Sequence, residues 1–168
     1  MKVFISYSNQ QEALARRIKK DLTKQGCDSW QFDISALPGT DAWTVILGRI
    51  KESDFFLVLL SKDSIRSQPV LEEISHAHYC SLNNRKKLPQ IIPIILTRNI
   101  VIPAQIVRLV RLPFSKDRYT DGLARLMRAM GLEPGKYAVT DDQKPRAHPE
   151  LMSDVEIRSY VIGPWNGA

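Results

Sequence analysis

The six consecutive apolar residues Phe55-Phe56-Leu57-Val58-Leu59-Leu60 restrict the fold of this chain more than any other stretch. A run of strand length with no polar alternation has no face to show to water, so it belongs in a central parallel strand covered on both sides. Ser61-Lys62-Asp63-Ser64 ends the run as a polar turn. Pro69 then suits the first turn of a helix, where its missing N–H is no loss, and Val70, Leu71, Ile74, Ala77 and His78 follow at helical spacing. At about 100° per residue this stripe centres between Val70 and Ile74, which turns Glu72 to solvent and leaves Glu73 roughly 90° off centre, on the rim between core and cleft. A carboxylate on such a rim is most often a surface residue, so its position alone does not make it functional.

The rest of the chain supplies the layers that such a strand needs. Lys2-Val3-Phe4-Ile5-Ser6 reads as a first strand with Ser6, Tyr7 and Ser8 at its carboxyl end. Asn9 and Glu12 have the spacing of a capping pair, Leu14, Ile18 and Leu22 line one face of the helix that follows to about Lys24, and Gly26 ends it. A shorter, more polar second strand is expected from Cys27 to Asp33, as suits an edge, followed by the loop Ile34 to Thr40. Asp41 caps a helix with Trp43, Ile46, Leu47 and Ile50 on its inner face.

After the central strand and its helix come a basic turn (Asn83 to Lys87) and a fourth strand, Ile91 to Leu96. Pro93 within it removes a ladder donor and argues for an edge position or an irregularity. A short helix over Pro103 to Val107, a brief strand over Val110 to Leu112 and a helix from Tyr119 to Met130, stopped by Gly131, complete the pattern. Strands and helices thus alternate about five times, which predicts an α/β, flavodoxin-like, doubly wound parallel sheet over residues 1–131. Residues 132–168 read as a linker and tail, with Val155 to Ile162 as a lone strand that needs a partner in this domain, in another chain or in a further module.

Composition narrows the function classes. With 168 residues, 43% of them hydrophobic, the chain suffices for one domain with a sizeable core plus a tail. Its apolar runs are far short of a membrane span, and Met1 leads straight into a strand rather than a signal peptide. Cys27 and Cys80 have neither metal-ligand spacing nor a disulfide framework, so a cytoplasmic protein is expected. The net charge of +6 is scattered over helix faces without interleaved aromatic residues, so nucleic-acid contact is not expected of this domain, with attraction of a polyanionic ligand as the lesser alternative. His76 and His78 diverge by about 160° on a helix and cannot share a metal. The isolated glycines form no phosphate-binding fingerprint.

Ligands of doubly wound sheets bind beyond the carboxyl ends of the strands, which here are Ser6-Tyr7-Ser8, Asp33 with its loop, and Ser61. The residues at these places carry a family resemblance. Phe4-Ile5-Ser6-Tyr7-Ser8, Leu37-Pro38-Gly39-Thr40-Asp41-Ala42-Trp43, Ile50-Lys51-Glu52-Ser53-Asp54 and Leu60-Ser61-Lys62-Asp63-Ser64, in this order, make residues 2 to about 131 resemble a Toll/interleukin receptor (TIR) domain, in particular the NAD-consuming immune effectors of bacteria. The resemblance implies cleavage of NAD⁺, as substrate and not cofactor, to nicotinamide and ADP-ribose or a cyclic product. It implies no metal, self-association through TIR–TIR contacts, and a sensor domain or partner protein in immune or antiphage defence. The family's catalytic glutamate falls on Glu73, with Ser6, Tyr7, Ser8, Asp33, Leu37, Pro38, Gly39, Trp43 and Ser61 around the substrate. Pro69 stands where the family usually has a tryptophan, which leaves Trp43 or Tyr7 as the aromatic face. The alternative reading is a non-catalytic adaptor; many such adaptors lack the glutamate.

The chemistry implied is feasible for one carboxylate. Nicotinamide is already a cationic leaving group, so the C–N bond breaks without a general acid, through a transition state that resembles an oxocarbenium ion as in glycoside hydrolysis. An anion in a partly dry site stabilises that charge.

Overall fold

The computed structural model describes residues 1–31, 41–114 and 119–133. Five strands and four α-helices alternate in it: β1 (Lys2–Ser6), α1 (Glu12–Lys24), β2 (Asp28–Trp30), α2 (Ala42–Glu52), β3 (Phe55–Leu60), α3 (Gln68–Asn83), β4 (Gln90–Ile95), β5 (Leu112–Pro113) and α4 (Tyr119–Ala129). The strands form one sheet in the order β2-β1-β3-β4-β5, every pair parallel. This is the flavodoxin-like order expected from the alternation, and the order in which strands are added reverses between β1 and β3. The expected loop from Ile34, together with Asp33, and the tail beyond Glu133 lie outside the described residues.

The side-chain period of two along the central strands builds a core on each face of the sheet. Val3, Ile5, Leu57 and Leu59 pack with Ala15, Ile18 and Leu22 of α1 and with Leu123, Leu126 and Met127 of α4. Phe4, Phe56, Val58 and Leu60 pack with Ile46 and Ile50 of α2 and with Val70, Ile74 and Ala77 of α3. Phe4 stacks on Phe56 at a centroid distance of 5.5 Å and lies 5.1 Å from Trp30. Covered on both faces, the run Phe56 to Leu60 is buried throughout.

Local chemistry sets the ends. Gly26 (φ +79°) and Gly131 (φ +71°) follow α1 and α4 in the left-handed region that favours glycine. Asp41 caps α2, accepting from Trp43 N at 3.1 Å and from Thr44 Oγ1 at 2.5 Å, and these bonds hold its carboxyl below the ordinary value. The expected Asn9–Glu12 cap does not form. Asn9 to Gln11 make a 3-10 turn closed by Gln11 N donating to Ser8 O at 2.8 Å, which puts Asn9 inside the turn rather than at the head of α1. β2 is shorter than the expected strand from Cys27, because the Cys27 N–H bonds back to Leu22 O at 3.1 Å and so completes the end of α1.

Pro93 sits in β4 without loss to the central pairing. Gln90 N donates to Asp54 O and Leu96 N to Leu60 O, both at 2.9 Å, so even-numbered positions face β3 while Pro93 faces the other side. On that side β5 pairs only with Ile94 and Ile95, so β4 is an edge up to Pro93. The expected helix after Pro103 is a 3-10 turn, Ala104–Ile106, and the last strand lies at Leu112–Pro113 rather than from Val110. α4 is tied to α1 by Tyr119, whose hydroxyl donates to Asp21 Oδ2 at 2.9 Å under the Arg17 guanidinium, 3.7 Å from the ring centroid.

Candidate active site

The parallel sheet brings its carboxyl ends to one side, and the polar residues there are mostly buried. Ser6 closes β1 on the same face as Phe4, toward α3, and is only 1% exposed. Glu73 lies one turn into α3, next to Ile74 in the second core, and is 7% exposed, whereas Glu72 is exposed and accepts from Gln68 Nε2 at 2.8 Å. The helical angle alone places Glu73 on a rim; in the fold it is buried, with Ser6 at the tip of β1 beside it. Burial pushes the Glu73 carboxyl up from the ordinary 4.5 to about 7, and the neighbouring Ser6 hydroxyl pulls it part of the way back. Among the described residues that hydroxyl forms no hydrogen bond of good geometry, so it acts on Glu73 as a nearby dipole.

The other expected residues divide between this site and structural work. The Ser61 hydroxyl accepts from Asp63 N at 3.2 Å and Ser64 N at 3.1 Å and so closes the turn after β3. Ser8 donates to Gln11 Oε1. Tyr7, half-buried, packs against the first core, on the sheet face opposite to Ser6. Trp43, also half-buried, packs against the second core and lines an open groove of about 490 Å³ between α2 and α3, together with Leu47, Leu71, Glu72 and His76. Asp33, Leu37, Pro38 and Gly39 lie outside the described residues.

Three polar residues at the strand ends join the candidates that the sequence reading singled out. Among the described residues Gln11 Nε2, Gln31 Oε1 and Thr97 Oγ1 are, like Ser6 Oγ, buried without a hydrogen-bond partner. Gln31 and Thr97 lie just beyond β2 and β4 and Gln11 ends the 3-10 turn that follows β1, and buried polar atoms are rarely left unpaired unless a ligand, water or ion completes them. Of the three, only Thr97 has a signal in the sequence, a polar residue directly after the apolar run Ile94-Ile95-Leu96.

Among the described residues no group of three or more His, Cys, Asp or Glu side chains could hold a metal ion. His76 Nε2 lies 3.4 Å from Cys80 Sγ on its own helix, and His78 faces a different groove from His76. Burial raises both cysteine thiols, which disfavours the thiolate. Among the described residues no helix is long and apolar enough to cross a membrane.

A five-stranded parallel sheet with a buried acid near the tip of its first strand defines an α/β domain whose candidate site sits where the strand order reverses. Residues 3–127 match the family model described as TIR domain, and the chain belongs to that family. Its fold is similar to that of the TIR domain of the Toll-related receptor TRR-2 from Hydra magnipapillata, at 21% identity over 77% of this chain and 97% of that one, with a TM-score of 0.60. A prokaryotic SEFIR domain is similar at 18% identity over 76% of this chain and 96% of that one, with a TM-score of 0.56. Comparison with curated proteins gives no match.

Proposed function

We propose that this TIR domain is an NAD⁺ glycohydrolase with Glu73 as its catalytic residue. The observation that carries the reading is a glutamate buried at the carboxyl end of the sheet that, among the described residues, has no ion pair and lies beside a buried hydroxyl with no hydrogen bond of good geometry. A fold gains nothing from such an arrangement, whereas a site that must stabilise developing positive charge does.

In the reaction, the bond between the ribose C1′ and the nicotinamide nitrogen breaks, and its electron pair leaves with the neutral base. The Glu73 carboxylate faces the resulting oxocarbenium ion and accepts a hydrogen bond from a ribose hydroxyl, with Ser6 Oγ as a second polar contact. Water then adds at C1′ and releases a proton, giving ADP-ribose; attack by a nucleophile of the substrate itself gives a cyclic product instead. The arriving cation favours the ionised carboxylate, so substrate binding lowers a pKa that burial has raised.

The test is chromatography of NAD⁺ after incubation with the protein at concentrations that allow self-association, with nicotinamide as the product read. Wild type consumes NAD⁺ and Glu73→Gln does not; equal turnover by the two proteins removes Glu73 from the mechanism. An effector role in immune or antiphage defence follows from such depletion of NAD⁺. The adaptor reading, in which contacts between TIR domains carry the signal, requires instead that Glu73→Gln signals like wild type.

A further inference from the structure

The outer edge of the sheet carries a feature remote from Glu73. β5 pairs only with Ile94 and Ile95, and the odd-numbered residues of β4 face its side, as the bond from Phe114 N to Ile95 O at 3.0 Å requires. The Ile91 N–H and C=O therefore point away from β3 with no partner among the described residues, next to the point where β5 begins. An open groove of about 980 Å³ runs over this position, between the end of α3, the segment before β5, and α4.

The lining of the groove has one sign of charge. Among the described residues Lys87, Arg108, Arg111 and Arg125 contribute to it and no carboxylate does. Arg108 and Arg125 are exposed and form no ion pair among the described residues. Apolar side chains stand open beside them: Leu82 is 58% exposed, Val107 48% and Val110 88%. Unpaired peptide groups, a row of cations and exposed aliphatic side chains together match an extended peptide in which acidic and apolar residues alternate. A nucleic acid fits less well, since among the described residues no Phe, Tyr or Trp lines the groove for base stacking.

We propose that the β4–β5 edge is a docking groove for an extended acidic segment of a partner protein. The segment pairs with Ile91 as an added strand, places its carboxylates on Arg108 and Arg125, and lays its apolar side chains on Val107 and Val110. This inference is independent of the chemistry at Glu73.

The test is fluorescence anisotropy with a fluorescein-labelled heptapeptide of alternating glutamate and valine. Wild type binds it saturably. The exposed double variant Arg108→Glu/Arg125→Glu, with unchanged circular dichroism, binds at least tenfold more weakly, and so does wild type with the peptide N-methylated at every second residue in either register. Four results overturn the proposal: no saturable binding up to about 1 mM peptide; undiminished binding of the N-methylated peptides, which leaves charge alone; tighter binding of a single-stranded oligonucleotide of equal charge; or a dimer, seen by light scattering, that the double variant dissolves, which makes a second copy the occupant.

Discussion

Glu73 sits at 7% exposure and forms no ion pair among the described residues, so its ionised form burdens the fold. The unfolded chain releases this proton near 4.5 and the folded chain near 7. Between those values the folded state still binds a proton that the unfolded state has lost, so stability falls as pH rises through that window and the loss is complete above about 7. At about 1.4 kcal/mol per pH unit, the span corresponds to roughly 3 kcal/mol. Glu73→Gln has no such titration, so its melting temperature exceeds that of wild type by about 5–10 °C at pH 8 and matches it at pH 4, read by calorimetry. The same substitution lowers kcat for NAD⁺ cleavage by at least about a hundredfold, the scale of one lost electrostatic stabiliser. A glutamate kept for stability gives the opposite thermal result. The pH profile is a second expected outcome: kcat/KM rises with pH and levels off above an apparent pKa of about 7, that of the free protein. Ser6→Ala removes the dipole that lowers the carboxyl and moves this rise to higher pH. A profile flat from pH 5 to 9 in wild type removes the ionisation of Glu73 from the rate.

At the scale of elements, contacts between helices and strands leave little slack. A Cβ added at Gly122 of α4 would lie 2.8 Å from two carbons of the buried Phe114 ring. Alanine for glycine inside a helix ordinarily stabilises by about 1 kcal/mol. Here the ring cannot yield without repacking, and overpacking of this kind costs about 1–3 kcal/mol. Gly122→Ala is therefore expected to destabilise by about 1 kcal/mol in denaturant unfolding, and a gain in stability would refute the tight approach of α4 to Phe114. The regular elements were legible because their signals are local: an unbroken apolar run for β3, an i, i+3, i+4, i+7 stripe for α2, a glycine where α1 stops. The failures share a cause. Whether Asn9 caps α1 depends on the turn made by Ser8 and Gln11, and where β2 begins depends on the Cys27 N–H having been taken by α1. The pattern also separates Glu73 from Glu72, but helical angle knows nothing of neighbouring elements, and the depth of Glu73 beside Ser6 is a product of the fold. Gln11, Gln31 and Thr97 escaped notice for the same reason, since an unpaired polar atom is a property of packing and not of spacing.

For the whole molecule, the unpaired atoms at the carboxyl ends of β1, β2 and β4 have a thermodynamic consequence. Ser6 Oγ, Gln11 Nε2, Gln31 Oε1 and Thr97 Oγ1 have lost water without gaining partners among the described residues, so a ligand that reaches them satisfies groups these residues leave bare. A molecule that binds only the folded state stabilises it by RT ln(1 + [L]/Kd), which is about 2.7 kcal/mol at a hundredfold excess over Kd. For a domain of this size that raises the melting temperature by about 5–10 °C. NAD⁺ itself serves as the ligand when Glu73→Gln blocks its consumption, so the expected outcome is a melting temperature of Glu73→Gln that climbs with NAD⁺ and saturates, while adenine alone at equal concentration has a smaller effect. TIR domains in general self-associate, and where a neighbouring copy completes the site the shift at fixed NAD⁺ also grows with protein concentration. An adaptor that works only by contacts between domains has no reason to respond to NAD⁺. A melting temperature unmoved at millimolar NAD⁺ and at the highest protein concentration would therefore dismiss the enzymatic reading on binding grounds, independently of any assay of turnover.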